Sequence, residues 1–162
     1  MVFYIRRYLV EVAIVVNSIK TNNQLSYLLT KESKKNDIIV FSQNEYTINT
    51  NNGFSICMSY DFWNYKGKNV IATDIDSCKL ILKNPSIKNF FFYIWDLEWL
   101  RLKSFDYEDL NYIYNNNKIN LVARSERHSL AVQHAWNKKC SVVEDLDVKK
   151  IIRSHDNEPI NA

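Results

Sequence analysis

Four short stretches of this chain carry polar side chains in arrangements that can do chemistry. In Trp95-Asp96-Leu97-Glu98-Trp99, two carboxylates sit between indoles directly after a long apolar run. A carboxylate there can take a proton from a hydroxyl nucleophile, or grip vicinal hydroxyls by accepting two hydrogen bonds. The indole faces can cover the C–H face of a sugar or a base. Their apolar surroundings also raise a carboxyl's proton affinity, which suits Asp96 to the role of general base. The plainer reading makes Asp96 a turn cap, with Trp95 and Trp99 in the core. In Val122-Ala123-Arg124-Ser125-Glu126-Arg127-His128, a strand end runs into a helix start. The open amides of that first turn favour an anion, and Arg124, Arg127 and His128 add donors. The alternative is capping by Ser125, with Glu126 and its neighbours forming an exposed charged turn. Val142-Val143-Glu144-Asp145-Leu146-Asp147 ends in acids that can bind ribose hydroxyls or a cation, or cap the next helix. Arg6 and Arg7 follow a short apolar opening and can meet an anion through their guanidinium groups, or stand solvated.

Other chemistries are excluded by what is missing. The turn Ile5-Arg6-Arg7-Tyr8 has no glycine, so its backbone cannot wrap a pyrophosphate as dinucleotide and P-loop folds do. His128 and His134 lie six positions apart on different helix faces, and Cys57, Cys78 and Cys140 form no C-x-x-C pair. A metal site, a disulfide framework and a Ser-His-Asp or Cys-His constellation are therefore not expected.

The elements that must position these residues follow from the apolar pattern. The chain has 162 residues, enough for one domain with its own core, and its 46% hydrophobic and 24% charged residues are the balance of a globular protein. Only 2 Gly and 2 Pro argue against an all-β fold with many tight turns. Leu9, Val12, Val16 and Ile19 fall at helical spacing and predict a helix over residues 8–20, with the β-branched content of 10–16 keeping a strand in view. Residues 25–30 read as a short strand, 37–42 as a strand buried on both faces, 54–60 as an alternating strand, and 69–73 as a short apolar segment. A helix is predicted over 74–82, capped by Thr73 or Asp74, and one over 106–114. Residues 89–96 form the strongest strand, 119–123 and 140–143 two more, and Ser125 caps a helix over 126–136. Asp145 or Asp147 caps a final helix through Arg153. Strands alternating with helices imply an α/β domain: a mostly parallel sheet with helices on both faces, binding ligands at the carboxyl ends of its strands near the switch in strand order.

With these segments in place, Phe91-Phe92-Tyr93-Ile94-Trp95-Asp96-Leu97-Glu98, then Asn120-Leu121-Val122-Ala123-Arg124-Ser125-Glu126, then Val142-Val143-Glu144-Asp145-Leu146-Asp147 resemble the N-terminal half of GT-B glycosyltransferases. The likeness is in particular to those encoded by bacteriophages, phage DNA glucosyltransferases among them, and spans residues 69–153. It implies a Rossmann-like domain that holds the acceptor. It also implies a catalytic base at Asp96, a helix-start Ser-Glu at Ser125 and Glu126, and a late strand ending near Asp147. The Gly-rich first turn of the family is absent, and a chain of this length has no room for the second, nucleotide-sugar-binding domain.

The resulting expectations are a Rossmann-like three-layer domain over residues 1–154 with a polar tail at 155–162. It binds a sugar, nucleotide or glycosylated acceptor through Trp95, Glu98, Trp99, Arg124, Ser125, Glu126, Arg6 and Arg7, with Asp96 as base. It needs no cofactor or metal and is inactive alone unless a protein partner supplies a donor domain. The alternative is a non-enzymatic, flavodoxin-like protein-interaction module of phage origin. A net charge of +3 with interleaved signs argues against nucleic acid as a partner. Arg6 and Arg7 before an apolar run look like a signal peptide, but Glu11 interrupts it and no small-residue cleavage site follows. At about a dozen residues the run is also short of the roughly 20 that cross a bilayer. A cytoplasmic protein is expected, in the host cytoplasm if phage-encoded.

Overall fold

A computed structural model describes residues 12–19, 23–44, 54–101 and 106–156 of the chain. Among these residues, seven strands form one sheet: β1 (Val12–Val16), β2 (Ile38–Ser42), β3 (Ser55–Met58), β4 (Asn69–Ala72), β5 (Asn89–Ile94), β6 (Ile119–Ala123) and β7 (Ser141–Val142). Their spatial order is β3-β2-β1-β4-β5-β6-β7, and every neighbouring pair is parallel. The chain thus builds outward from β1 in one direction, returns to place β4 on the other side of β1, and continues outward. This is the doubly wound Rossmann-like arrangement, with its switch point between β1 and β4. It differs from the 2-1-3-4-5 order of a flavodoxin-like sheet, so that part of the alternative expectation is corrected.

Parallel strands need long crossovers, and among the described residues five α-helices provide cover on both faces. They are α1 (Asn23–Ser33), α2 (Ile75–Leu82), α3 (Tyr107–Tyr114), α4 (Glu126–Trp136) and α5 (Val148–Asp156). Alternation along each strand splits the core in two. Ala13, Val15, Phe90, Phe92 and Ile94 pack with α2, α3 and α4, joined there by Cys78, Tyr114 and Trp136. Val12, Ile14, Val16, Phe91 and Tyr93 face α1 and α5, joined by Leu25, Leu29, Val148 and Ile151. The layers are therefore helix, sheet, helix.

Three segments differ from the sequence expectation. Residues 12–16 are the central strand, not part of a helix, and all five are fully buried. A strand covered on both faces is apolar at every position, so it satisfies a spacing of three or four by coincidence. Residues 25–30 belong to helix α1, whose Leu25, Leu28, Leu29 and Glu32 at helical spacing turn inward. The strand expected over 54–60 forms as β3 but ends at Met58, where a 3₁₀ turn (Ser59–Asn64) begins, whose Phe62 packs edge-on to Phe41. The expected opening segment 2–5, together with Arg6 and Arg7, lies outside the described residues. The turn that leaves the central strand begins at Asn17, and the sequence through Asn23 has no glycine there either.

Glu32 shows how the outer layer is locked. Its buried carboxylate accepts from Asn36 Nδ2 at 2.9 Å and, across 116 residues, from the amide of Val148 at 3.2 Å, the first residue of α5. An acid at that amino end meets the helix dipole and an otherwise orphaned N–H. Glu32→Ala leaves both donors buried and unpaired, and is expected to cost about 2 kcal/mol in urea unfolding.

Candidate functional site

The carboxyl ends of β5, β6 and β7 lie side by side, because each pairs with the next in parallel. The residues that leave them converge on a cleft of about 410 Å³. Trp95 comes from the end of β5, and Arg124 and Ser125 from the end of β6. Arg127 and His128 stand on the first turn of α4, and Glu144 and Asp145 on a 3₁₀ turn (Glu144–Leu146) after β7. Gln24 and Leu28 of α1 close the side over the sheet. Seven residues singled out in the sequence, Trp95, Arg124, Ser125, Arg127, His128, Glu144 and Asp145, are thus brought together.

Arg124 stacks on Trp95, its guanidinium carbon 4.9 Å from the indole centroid. The stack orients the cation and occupies one indole face with arginine. Ser125 is the N-cap of α4: its Oγ accepts from the amide of His128 at 3.3 Å and lies 2.8 Å from the ring Nδ1 of the same residue. Burial, then Arg124, hold His128 below the usual imidazole range against an opposing pull from Asp96. The ring is therefore neutral near pH 7. Glu126 is exposed beside this turn.

The wall after β7 is held in an uncommon shape. Asp145 and Leu146 are consecutive residues in the left-handed region, at φ 57° and 53°. For a leucine without room to move, that conformation is costly unless its surroundings enforce it. The enforcing group is Tyr93, whose buried hydroxyl donates to the carbonyl of Val143 at 2.9 Å and accepts from the amide of Leu146 at 3.1 Å. A tyrosine following Phe90-Phe91-Phe92 in a buried strand signals that its hydroxyl has a partner, a cue the apolar pattern alone passes over.

The other sequence candidates are placed differently. Asp96 sits on the same rim but is engaged on both oxygens. Oδ1 accepts from the amide of Leu97 at 3.0 Å, and Oδ2 pairs with Arg101 at 2.9 Å, with the two side chains 39% and 74% exposed. A pair that open is worth at most about 1 kcal/mol and yields readily. After Asp96 a 3₁₀ turn (Glu98–Leu100) carries the chain toward the opposite face of the sheet. Trp99 packs edge-on against Tyr114 and Trp136, at 5.2 and 6.0 Å, in the core under α3 and α4.

Glu98 reaches the switch point instead. Its Oε1 accepts from the amide of Ile75 at 3.0 Å, the first residue of α2. Asp74, the N-cap of that helix, accepts from the amide of Ser77 at 2.8 Å and, across the switch, from the amide of Asn17 at 2.8 Å. Two carboxylates therefore fill the amino end of α2. Burial, then the charge of Asp74, push Glu98 up to about 7, and burial also raises Asp74. The amides that a phosphate would need at this helix end are taken by acids.

Among the described residues, no group of three or more His, Cys, Asp or Glu side chains is placed to hold a metal ion. Also among those residues, no helix is long and apolar enough to cross a membrane. The cysteine thiols are raised by burial, Cys140 to about 12, which makes them poor nucleophiles.

Fold and cleft together define the class: a doubly wound, all-parallel Rossmann-like α/β domain with a polar cleft at the carboxyl ends of β5, β6 and β7. No family model, curated protein or solved structure matches the chain.

Proposed function

We propose that this domain holds a sugar, a nucleotide or a glycosylated acceptor in the β5–β7 cleft, as a relative of the acceptor-holding half of a GT-B glycosyltransferase. The observation that supports it is the convergence of Trp95, Arg124 and Ser125 with a wall of carboxylates in one concavity of ligand size. Arg124 and Ser125 offer donors and Glu144 and Asp145 offer acceptors, the complement of a polyhydroxylated ligand. In this reading Asp96 stands at the rim as the proton acceptor for a hydroxyl, released from Arg101 when the ligand enters. Glycosyl transfer itself calls for a nucleotide-sugar donor, which a partner domain presents across the rim.

Calorimetric titration with a panel of nucleotide sugars and free sugars checks this reading. Wild type is expected to give saturable heat that Arg124→Ala weakens at least about tenfold. Asp96→Ala is expected to keep most of the binding while abolishing any transfer measured with a donor domain present. Identical heats for wild type and Arg124→Ala would remove the cleft from the account.

A further inference from the structure

We propose that the cleft selects a phosphorylated monosaccharide, with the phosphate on the Arg124–Arg127–His128 wall and the sugar hydroxyls on Glu144 and Asp145. This rests on the reading of the cleft as a ligand site and names the ligand class that its chemistry recognises.

The cleft is polarised. Among the described residues that line it, the arginines and the histidine come from the β6–α4 side and the carboxylates from the turn after β7. Tyr93 lines the same cleft as both sets, and its hydroxyl is bonded to the turn that carries Glu144 and Asp145. A ligand that satisfies both needs an anionic end and a hydrogen-bond-donating end in one small molecule. Neutral sugars leave the arginines unanswered, and a bare anion offers the carboxylates no donor.

Both walls are built in advance. Stacking on Trp95 holds the plane of the Arg124 guanidinium and leaves its in-plane N–H edges for an oxyanion, a geometry that suits phosphate. On the far side, Tyr93 holds Asp145 and Leu146 in their left-handed turn, which fixes the backbone that carries the carboxylates. Lys31 reaches Asp145 Oδ2 at 3.4 Å and offsets part of the acidic wall, so an incoming phosphate is not repelled by two full charges. A volume of about 410 Å³ is at the small end of ligand sites and fits a hexose or pentose phosphate better than a whole nucleoside diphosphate sugar.

Isothermal titration of the full chain with glucose 6-phosphate, ribose 5-phosphate, glucose and inorganic phosphate tests the proposal. The sugar phosphates are expected to bind at least about tenfold more tightly than either glucose or inorganic phosphate. Arg127→Ala, at an exposed position that leaves the fold intact, is expected to lower sugar-phosphate affinity about tenfold. Asp145→Asn is expected to erase the preference for sugar phosphate over inorganic phosphate, with an unchanged circular-dichroism spectrum as the folding control. Inorganic phosphate binding as tightly as the sugar phosphates overturns the proposal. So does glucose binding as tightly as its phosphate, although a glucose signal abolished by Arg124→Ala would leave the cleft reading standing. Heat from none of the four overturns the proposal, and absence of heat from the nucleotide-sugar panel as well overturns both.

Discussion

Tyr93→Phe is expected to destabilise the fold by about 3 kcal/mol and to abolish ligand binding in the cleft, although it deletes a single oxygen. The ring is buried on the α1 and α5 side of the sheet, and phenylalanine fills the same space. What disappears is the acceptor for the Leu146 amide and the donor to the Val143 carbonyl. Both become buried polar groups without partners, at about 1–3 kcal/mol each. The left-handed pair Asp145–Leu146 also loses the contact that enforces it. The turn relaxes, Glu144 and Asp145 leave their wall, and binding falls with stability. Urea unfolding and calorimetry on the same variant check the coupling. A variant that loses stability but binds normally would show that the turn does not build the site.

The second large effect is on the pH profile. Glu98 titrates at about 7 in the folded protein, against an ordinary value of 4.5, because it is buried beside Asp74. A carboxyl whose proton is held more tightly in the folded state favours folding fully below the unfolded value, and that contribution is lost as pH rises through the folded value. Stability should therefore fall between about pH 4.5 and 7 from this group, and Asp74 adds to the fall with its own raised value. Glu98→Gln keeps an oxygen for the Ile75 amide and removes the charge. It is expected to match wild type near pH 4.5 and to exceed it by about 2 kcal/mol at pH 8, after allowance for partial solvent exposure. Urea midpoints at three pH values decide it. Parallel profiles for the two proteins would mean that the carboxylates at the switch point are not coupled.

How much of this was legible in the sequence depended on where a segment sits in the layers. Helices α2, α4 and α5 announce themselves through polar caps, and Asp74, Ser125 and Asp147 each accept from an amide in the first turn as expected. β5 stands out through its aromatic run. β1 and α1 were hidden for opposite reasons. Val12–Val16 is buried on both sides and has no polar positions to reveal a period of two, whereas α1 mixes Asn, Gln, Ser and Thr among its leucines and blurs its inward stripe. Misreading α1 concealed Gln24 and Leu28 as part of the cleft. At the site, the strand-end rule picked out Trp95, Arg124 and Ser125. It could not separate Glu98 and Trp99 from them, because a three-residue 3₁₀ turn has too little periodicity to say which face it will meet.

The central claim is that ligands enter at the carboxyl ends of β5, β6 and β7. Its most direct test is mapping amide chemical-shift changes as glucose 6-phosphate or a nucleotide sugar is titrated into the labelled protein. The opposite rim offers a built-in comparison: a smaller, lysine- and asparagine-lined hollow of about 290 Å³ near Asn116, Asn117, Lys138 and Lys139, before β6 and β7. The account predicts that the largest shifts fall on Trp95, Asp96, Arg124 to His128 and Glu144 to Leu146, with the hollow silent. Shifts concentrated at Asn116, Asn117, Lys138 and Lys139, or none at saturating ligand, would contradict it.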